Sequence, residues 1–258
     1  MYLAMSIAAS GLRNQQRRLD TISNNVANAN TVGYKNSRLD FKDALYTTGI
    51  TPGPPRTPEG NQQKGHGLML TAITRDFKPG NMERTNNPLD FSIENEGFFA
   101  FENPDGGVLY GRNGAFTLSV EAGGTFIVNG QGLYLLNENE QRIEVPFGIT
   151  QIAGDVDGTI RFLNGDEEIG RNTFGIFTFR NLHGLAAAGN STFLQTEAAG
   201  ERRPAEYAVL RQGVLEVSNI NLAEEMTRVI RTQRAFQLSS RALTTADEME
   251  GIANNMRR

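Results

Sequence analysis

The sequence predicts an α+β fold in which an antiparallel β-domain is inserted between N- and C-terminal helices that pair as a coiled-coil-like stalk. Three observations carry this prediction. Apolar residues recur every seven positions at both ends, alternating runs with tight-turn dipeptides fill the middle, and a Pro/Gly-rich stretch separates the first end from the rest. Seven-residue spacing puts a stripe on one helix face, whereas alternate positions share one face of a strand.

At the N-terminus, Met5, Leu12, Leu19 and Val26 form one row, with Ala8, Gln15, Ile22 and Ala29 offset from it by three. This is an a/d seam sustained for about three and a half heptads. It ends near Asn28 to Gly33, where Asn, Thr and Gly lower helix propensity. Residues 1–35 are read as a coiled-coil helix with an Asn-rich end. There Asn24, Asn25, Asn28 and Asn30 offer donors and acceptors to backbone groups freed at the helix end, and Gly33 permits a left-handed turn before Tyr34. The bend is assigned to these residues together with Ser23.

Residues 36–80 read as an extended connector. Its Thr51–Gly67 stretch holds four Pro and four Gly with almost no apolar residue, so it adds little to a core. The antiparallel β-domain follows over 81–205. Candidate strands are Asp90–Ile93, Phe98–Glu102, Thr125–Val128, Leu133–Leu136, Thr159–Leu163, Thr173–Phe179 and Ala208–Arg211, the last reaching into a return connector over 206–220. Pro104–Gly107, Asn113–Gly114, Asn129–Gly130, Asp157–Gly158 and Asn164–Gly165 supply turns, because such pairs tolerate the positive φ of tight hairpins. Residues 221–258 form the second coiled-coil helix. Leu222, Val229, Phe236 and Leu243 repeat every seven positions, with Met226, Gln233 and Ser240 interleaved, and Asn221 with Glu224 makes a capping pair. About thirty residues of helix run about 45 Å. Gln15, Gln233 and Ser240 are polar seam positions that weaken a two-helix pair and are better satisfied in a larger assembly.

Composition narrows the function classes. The chain has 258 residues with 28 Gly, no Trp and no Cys, which excludes disulfides, a thiol nucleophile and Cys-ligated zinc. The net charge of -4 is uneven: residues 1–40 carry +3, residues 41–216 carry -8 and residues 217–258 carry +1. Arg13, Arg17, Arg18, Arg228, Arg231 and Arg234 lie on helix patterns among polar neighbours rather than as a basic stripe, so no nucleic-acid partner is expected. No apolar run reaches about eighteen residues, so no membrane insertion is expected. Met1–Ser10 is apolar but lacks a positive leading region and reads as a helix start rather than a cleaved leader.

The chemistry-bearing residues form no catalytic set. His66 and His183 stand apart in Gly-flanked stretches, and Asp155–Gly158 lacks the later ligands of a calcium loop, so no metal is expected. Glu94 with Glu96, and Asp166 to Glu168, read as solvated charges, and no phosphate loop, dinucleotide fingerprint or nucleophile elbow occurs. Neither a cofactor nor a catalytic residue is assigned. A glycan-acting enzyme using those acids and an adhesin-like module with trimerising helices are the alternatives from other classes.

The stretch Leu19–Lys35 (LDTISNNVANANTVGYK) resembles the N-terminal motif of the flagellar axial family, which includes rod and hook proteins. The resemblance continues in Asn87–Asp90, Glu96–Phe99, Tyr110–Phe116 and Gly213–Asn221, and closes in Gln233–Phe236. It implies a structural rod subunit, not an enzyme, whose helices pair and line a hollow tube while the β-domain forms an outer layer. The seam residues Met5, Leu12, Leu19, Ile22, Val26, Leu222, Met226, Val229, Phe236 and Leu243 are then the subunit contacts. Implied partners are copies of itself in a helical filament, other rod and hook proteins, the surrounding ring proteins, and the export apparatus in transit. The implied place is the basal body in the cell envelope, reached without a cleaved leader. Chain length and Phe41–Tyr46 resemble the distal-rod type. The Thr51–Gly67 connector departs from it and leaves a proximal-rod or other rod-type paralogue open; hook proteins are usually much longer.

Overall fold

A computed structural model describes residues 2–45, 47–49, 62–64, 67–104, 106–205 and 207–256. Most of the Thr51–Gly67 connector, together with Tyr46, His66 and Asp105, lies outside the described residues. The chain divides into two compact units, one of 1–27, 37–74 and 221–258, the other of 28–36 and 75–220.

The first unit is built on two helices, α1 (Tyr2–Ala27) and α2 (Leu222–Asn255). The side chain of Asn221 caps α2 by accepting from the N–H of Ala223 (3.1 Å) and Glu224 (3.3 Å). Glu224 and Glu225 add negative charge where the helix dipole is positive. The helices run antiparallel: Ile22 and Asn25 lie beside Glu225 and Arg228, while Gly11 faces Ser239. Two strands within the segment expected as connector, Ser37–Asp43 and Leu68–Arg75, pair with each other, and Thr47–Gly49 pairs antiparallel with Gln62–Lys64. Helix and strand are tied directly, since Ser10 Oγ (3.1 Å) and Asn14 Nδ2 (2.8 Å) both donate to the Leu68 carbonyl.

The second unit is β-rich, and its paired strands are antiparallel. A six-stranded sheet runs, in spatial order, Ala186–Gly189, Thr192–Leu194, Val108–Gly111, Phe98–Glu102, Ile176–Phe179 and Arg202–Pro204. Two three-stranded sheets join Glu144–Val145, Gly124–Asn129 and Phe116–Glu121, and Gln151–Gly154, Thr159–Asn164 and Glu167–Thr173. Phe91–Ile93 pairs with Leu210–Gln212, and Met82–Arg84 with Val214–Glu216. The run Phe98-Phe99-Ala100-Phe101 is apolar throughout because its strand is covered on both faces. Phe99 and Phe101 enter one cluster with Phe91, Phe116 and Phe174, while Phe98 and Ala100 enter another with Tyr110, Phe179 and Phe193. Rings meet edge-on, as in Phe99–Phe116 (5.3 Å) and Phe91–Phe174 (4.9 Å).

Two strand expectations differ from the structure. Leu133–Leu136 is not a laddered strand: single bridges tie Tyr134, Leu135 and Leu136 to three different partners, so the segment stitches sheets together. Thr173–Phe179 is broken at Gly175, whose N–H donates to the Leu136 carbonyl (2.9 Å) and whose carbonyl accepts from Ala100 (3.0 Å). Binding to two neighbours takes that residue out of its own ladder.

Candidate functional site

The seam residues occupy unequal positions. On α1, Met5, Leu12, Leu19 and Val26 are half-buried and Ile22 is 5% exposed. On α2, Val229 and Leu243 are half-buried, whereas Leu222 (49%), Met226 (45%) and Phe236 (37%) are exposed. The buried positions of α2 are Glu225 and Thr232. They lie on the row that continues to Ser239, three positions round from the apolar stripe. Short side chains set the spacing here: a Cβ built on Gly11 would lie 3.8 Å from Ser239 Oγ, so α1 approaches α2 on its polar, small-residue row. Leu222 and Met226, with Ile230 at 52% exposure beside them, and part of Phe236 stay uncovered, while Val229 on the same stripe is half-buried.

The bend residues divide similarly. Ser23, Asn24 and Asn30 are exposed, while Asn25 is buried and clamps Ser37 by donating to its carbonyl (2.8 Å) and accepting from its N–H (3.1 Å). Asn28 accepts at its carbonyl from Thr31 N–H (3.1 Å) and at Oδ1 from the Thr31 hydroxyl (3.2 Å). Tyr34 is half-buried. Gly33 is buried at φ +68, where a Cβ would come within 2.6 Å of the Arg112 and Asn113 backbone. Its N–H donates to the Glu216 carbonyl (2.8 Å).

That contact leads to a feature the sequence reading missed. Lys35, Arg112 and Glu216, at most 2% exposed, form a buried ion network. Lys35 Nζ lies 2.6 Å from Glu216 Oε1, and Arg112 Nη1 lies 3.0 Å from Oε2. Further donors find carbonyls: Lys35 Nζ reaches Lys78 (2.7 Å), and Arg112 reaches Ile93 through Nη1 (2.9 Å) and Asn95 through Nη2 (2.6 Å), while the buried Arg112 Nε makes no hydrogen bond among the described residues. Gly80 N–H also donates to Glu216 Oε1 (2.9 Å), and the Arg112 guanidinium stands 5.7 Å from the Phe98 ring centre. Burial pushes the Lys35 ammonium below the ordinary lysine range, against the pull of the Glu216 carboxylate, and burial likewise lowers Arg112. Beside the network, Asn219 accepts from Asn36 N–H (2.8 Å) and donates to the carbonyls of Asp76 (2.8 Å) and Lys78 (3.1 Å). Three chain segments, 28–36, 75–81 and 213–220, are thereby locked together. All three charged residues lie in motifs singled out above. The legible signal was Glu216 itself, a lone acid between Leu215 and Val217.

The arrangement is suited to holding chain, and comparison with known proteins agrees. The model of the flagella basal body rod protein family matches residues 5–35, that of the FlgE/F/G D1 domain of flagellar hook protein matches 92–162, and that of the FlgEFG C-terminal region matches 211–256. The flagellar basal-body rod protein FlgG of Borreliella burgdorferi is 38% identical over 271 residues, covering 100% of both chains. The chain belongs to the flagellar basal-body rod proteins. The FlgG proteins of Agrobacterium fabrum (36% identical, 97% of this chain and 98% of the relative) and Bacillus subtilis (32%, 96% and 97%) extend the same relation. As a family member, the chain is a structural subunit of the basal-body rod, which assembles with its own kind and with other flagellar axial proteins. The ion network takes one charged residue from each matched segment of this rod subunit: Lys35, Arg112 and Glu216. Among the described residues no helix is long and apolar enough to cross a membrane.

Proposed function

We propose that the chain is a distal-rod subunit that polymerises through α1 and α2 into a hollow helical shaft, which transmits torque and encloses an export channel. The observation that carries this reading is the uncovered stripe of Leu222, Met226, Ile230 and Phe236 on a helix whose other side already packs on α1. Apolar surface of this kind is stabilised by burial at roughly 25 cal/mol per Å². A contact between unlike patches of identical copies grows into an open helix where the rotation between copies does not close a ring. FlgG relatives aligned over almost the whole chain support the distal position. The ring proteins around the shaft and the export apparatus are further partners in this reading.

Phe236→Asp tests it. The side chain is 37% exposed, so the purified chain should lose no more than about 1–2 kcal/mol and stay folded, while incorporation into basal bodies and swimming are lost. Normal motility with this variant would sink the proposal.

A further inference from the structure

The β-rich unit carries two surface features that the helices leave without a role. The first is a knob. Phe147 is 89% exposed in the loop between Glu144–Val145 and Gln151–Gly154, set between Pro146 and Gly148, the latter at φ +82. The second is a groove of about 570 Å³ beside Arg202–Pro204, the last strand of the six-stranded sheet. Pro204 and Ala205 supply apolar wall, Glu96 and Arg203 supply charge, and Tyr207 presents a ring that is 84% exposed. The walls are braced from within: Asn95 Nδ2 donates to the Tyr207 carbonyl (2.9 Å), and the Asn95 carbonyl accepts from buried Arg112 (2.6 Å).

We propose that Phe147 of one copy seats in this groove on the next copy, a contact between β-rich units separate from the helix stripe. The groove has room for the ring, and a buried aromatic side chain removes about 150–250 Å² from water. Tyr207 offers the edge or face that an incoming ring prefers. One charge pair is complementary: Arg203 at the groove and Glu144 beside the knob are both exposed and of opposite sign, whereas Glu96, the groove's other charge, has the same sign as Glu144. The body of the chain, residues 41–216, carries -8, so neighbouring units repel, and an apolar anchor with one matched pair offsets that repulsion. Knob and groove are different patches of one surface, so the contact is heterologous and propagates instead of closing as a dimer. The inference rests on the rod reading above and adds a second, outer contact to it.

The absence of Cys gives a clean test. Basal bodies are isolated from cells carrying Phe147→Cys with Tyr207→Cys and treated with a short bis-maleimide. In the fraction that incorporates, a ladder of dimers, trimers and longer species is expected on denaturing gels, with each single variant remaining monomeric. A double variant present in basal bodies yet monomeric after treatment overturns this contact and leaves the rod reading standing. A parent chain absent from basal bodies overturns both. Phe147→Ser supplies an independent arm: unchanged melting of the purified chain with a several-fold fall in incorporation supports the contact, and incorporation at the parent level counts against it.

Discussion

In the β-rich unit the strand Phe98–Glu102 buries side chains on both faces, and phenylalanines pack ring to ring on either side of it. In the helical unit α2 buries only Glu225 and Thr232 and leaves Leu222, Met226, Ile230 and Phe236 more than a third exposed. The β-rich unit closes its own core. The helical unit turns polar and small residues toward its own partner helix and keeps larger apolar ones outward, which is the distribution expected of a part finished by assembly. Stability and assembly are therefore separable by mutation.

The largest effect on stability is expected at Glu216. Glu216→Gln leaves Lys35 and Arg112 as two buried cations answered only by carbonyl oxygens. Breaking a buried ion pair from one side costs about 3–5 kcal/mol. Urea unfolding of the purified chain should register that loss. A change under about 1 kcal/mol would mean that the network does not hold the β-rich unit together, and the contrast between the two units would weaken. Gly33→Ala comes next. The positive φ of Gly33 and the 2.6 Å approach of a Cβ to the Arg112 backbone together cost more than about 1 kcal/mol. Melting that is unchanged would show that segment 28–36 can move away from Arg112 without loss.

Much of this was legible in the sequence. The helix at each end followed from heptads, the capping Asn221 from its spacing to Glu224, and the Asp157–Gly158 and Asn164–Gly165 turns from dipeptide chemistry. Phe98–Glu102 followed from its apolar run. What was not legible is what depends on chain segments far apart. Nothing local marks Gly175 as bound by both Leu136 and Ala100, so an unbroken strand was the natural reading. The seven-residue rule names a stripe on α2 but not which side meets α1, because the rows through Leu222 and through Glu225 share the same period. The ion network joins residues up to 181 positions apart; Glu216 between two apolar neighbours hints at burial, but Lys35 and Arg112 each read alone as an ordinary surface charge.

The finest test concerns the charge on Lys35. Burial lowers its pKa below 10.5 in the folded chain, whereas the unfolded chain keeps the ordinary value. Between the two values the unfolded state binds the extra proton, so stability contributed by this group rises with pH through that alkaline window. Lys35→Met removes the titrating group while Arg112 still answers Glu216. Urea midpoints of the parent and the variant, taken between about pH 8 and about pH 10, should therefore diverge, the parent gaining relative to the variant as pH rises. Other titrating groups are common to both chains and cancel in the difference. Parallel curves would mean that the Lys35 ammonium carries no burial cost, and would place the strength of the network in Arg112 and the carbonyl acceptors instead.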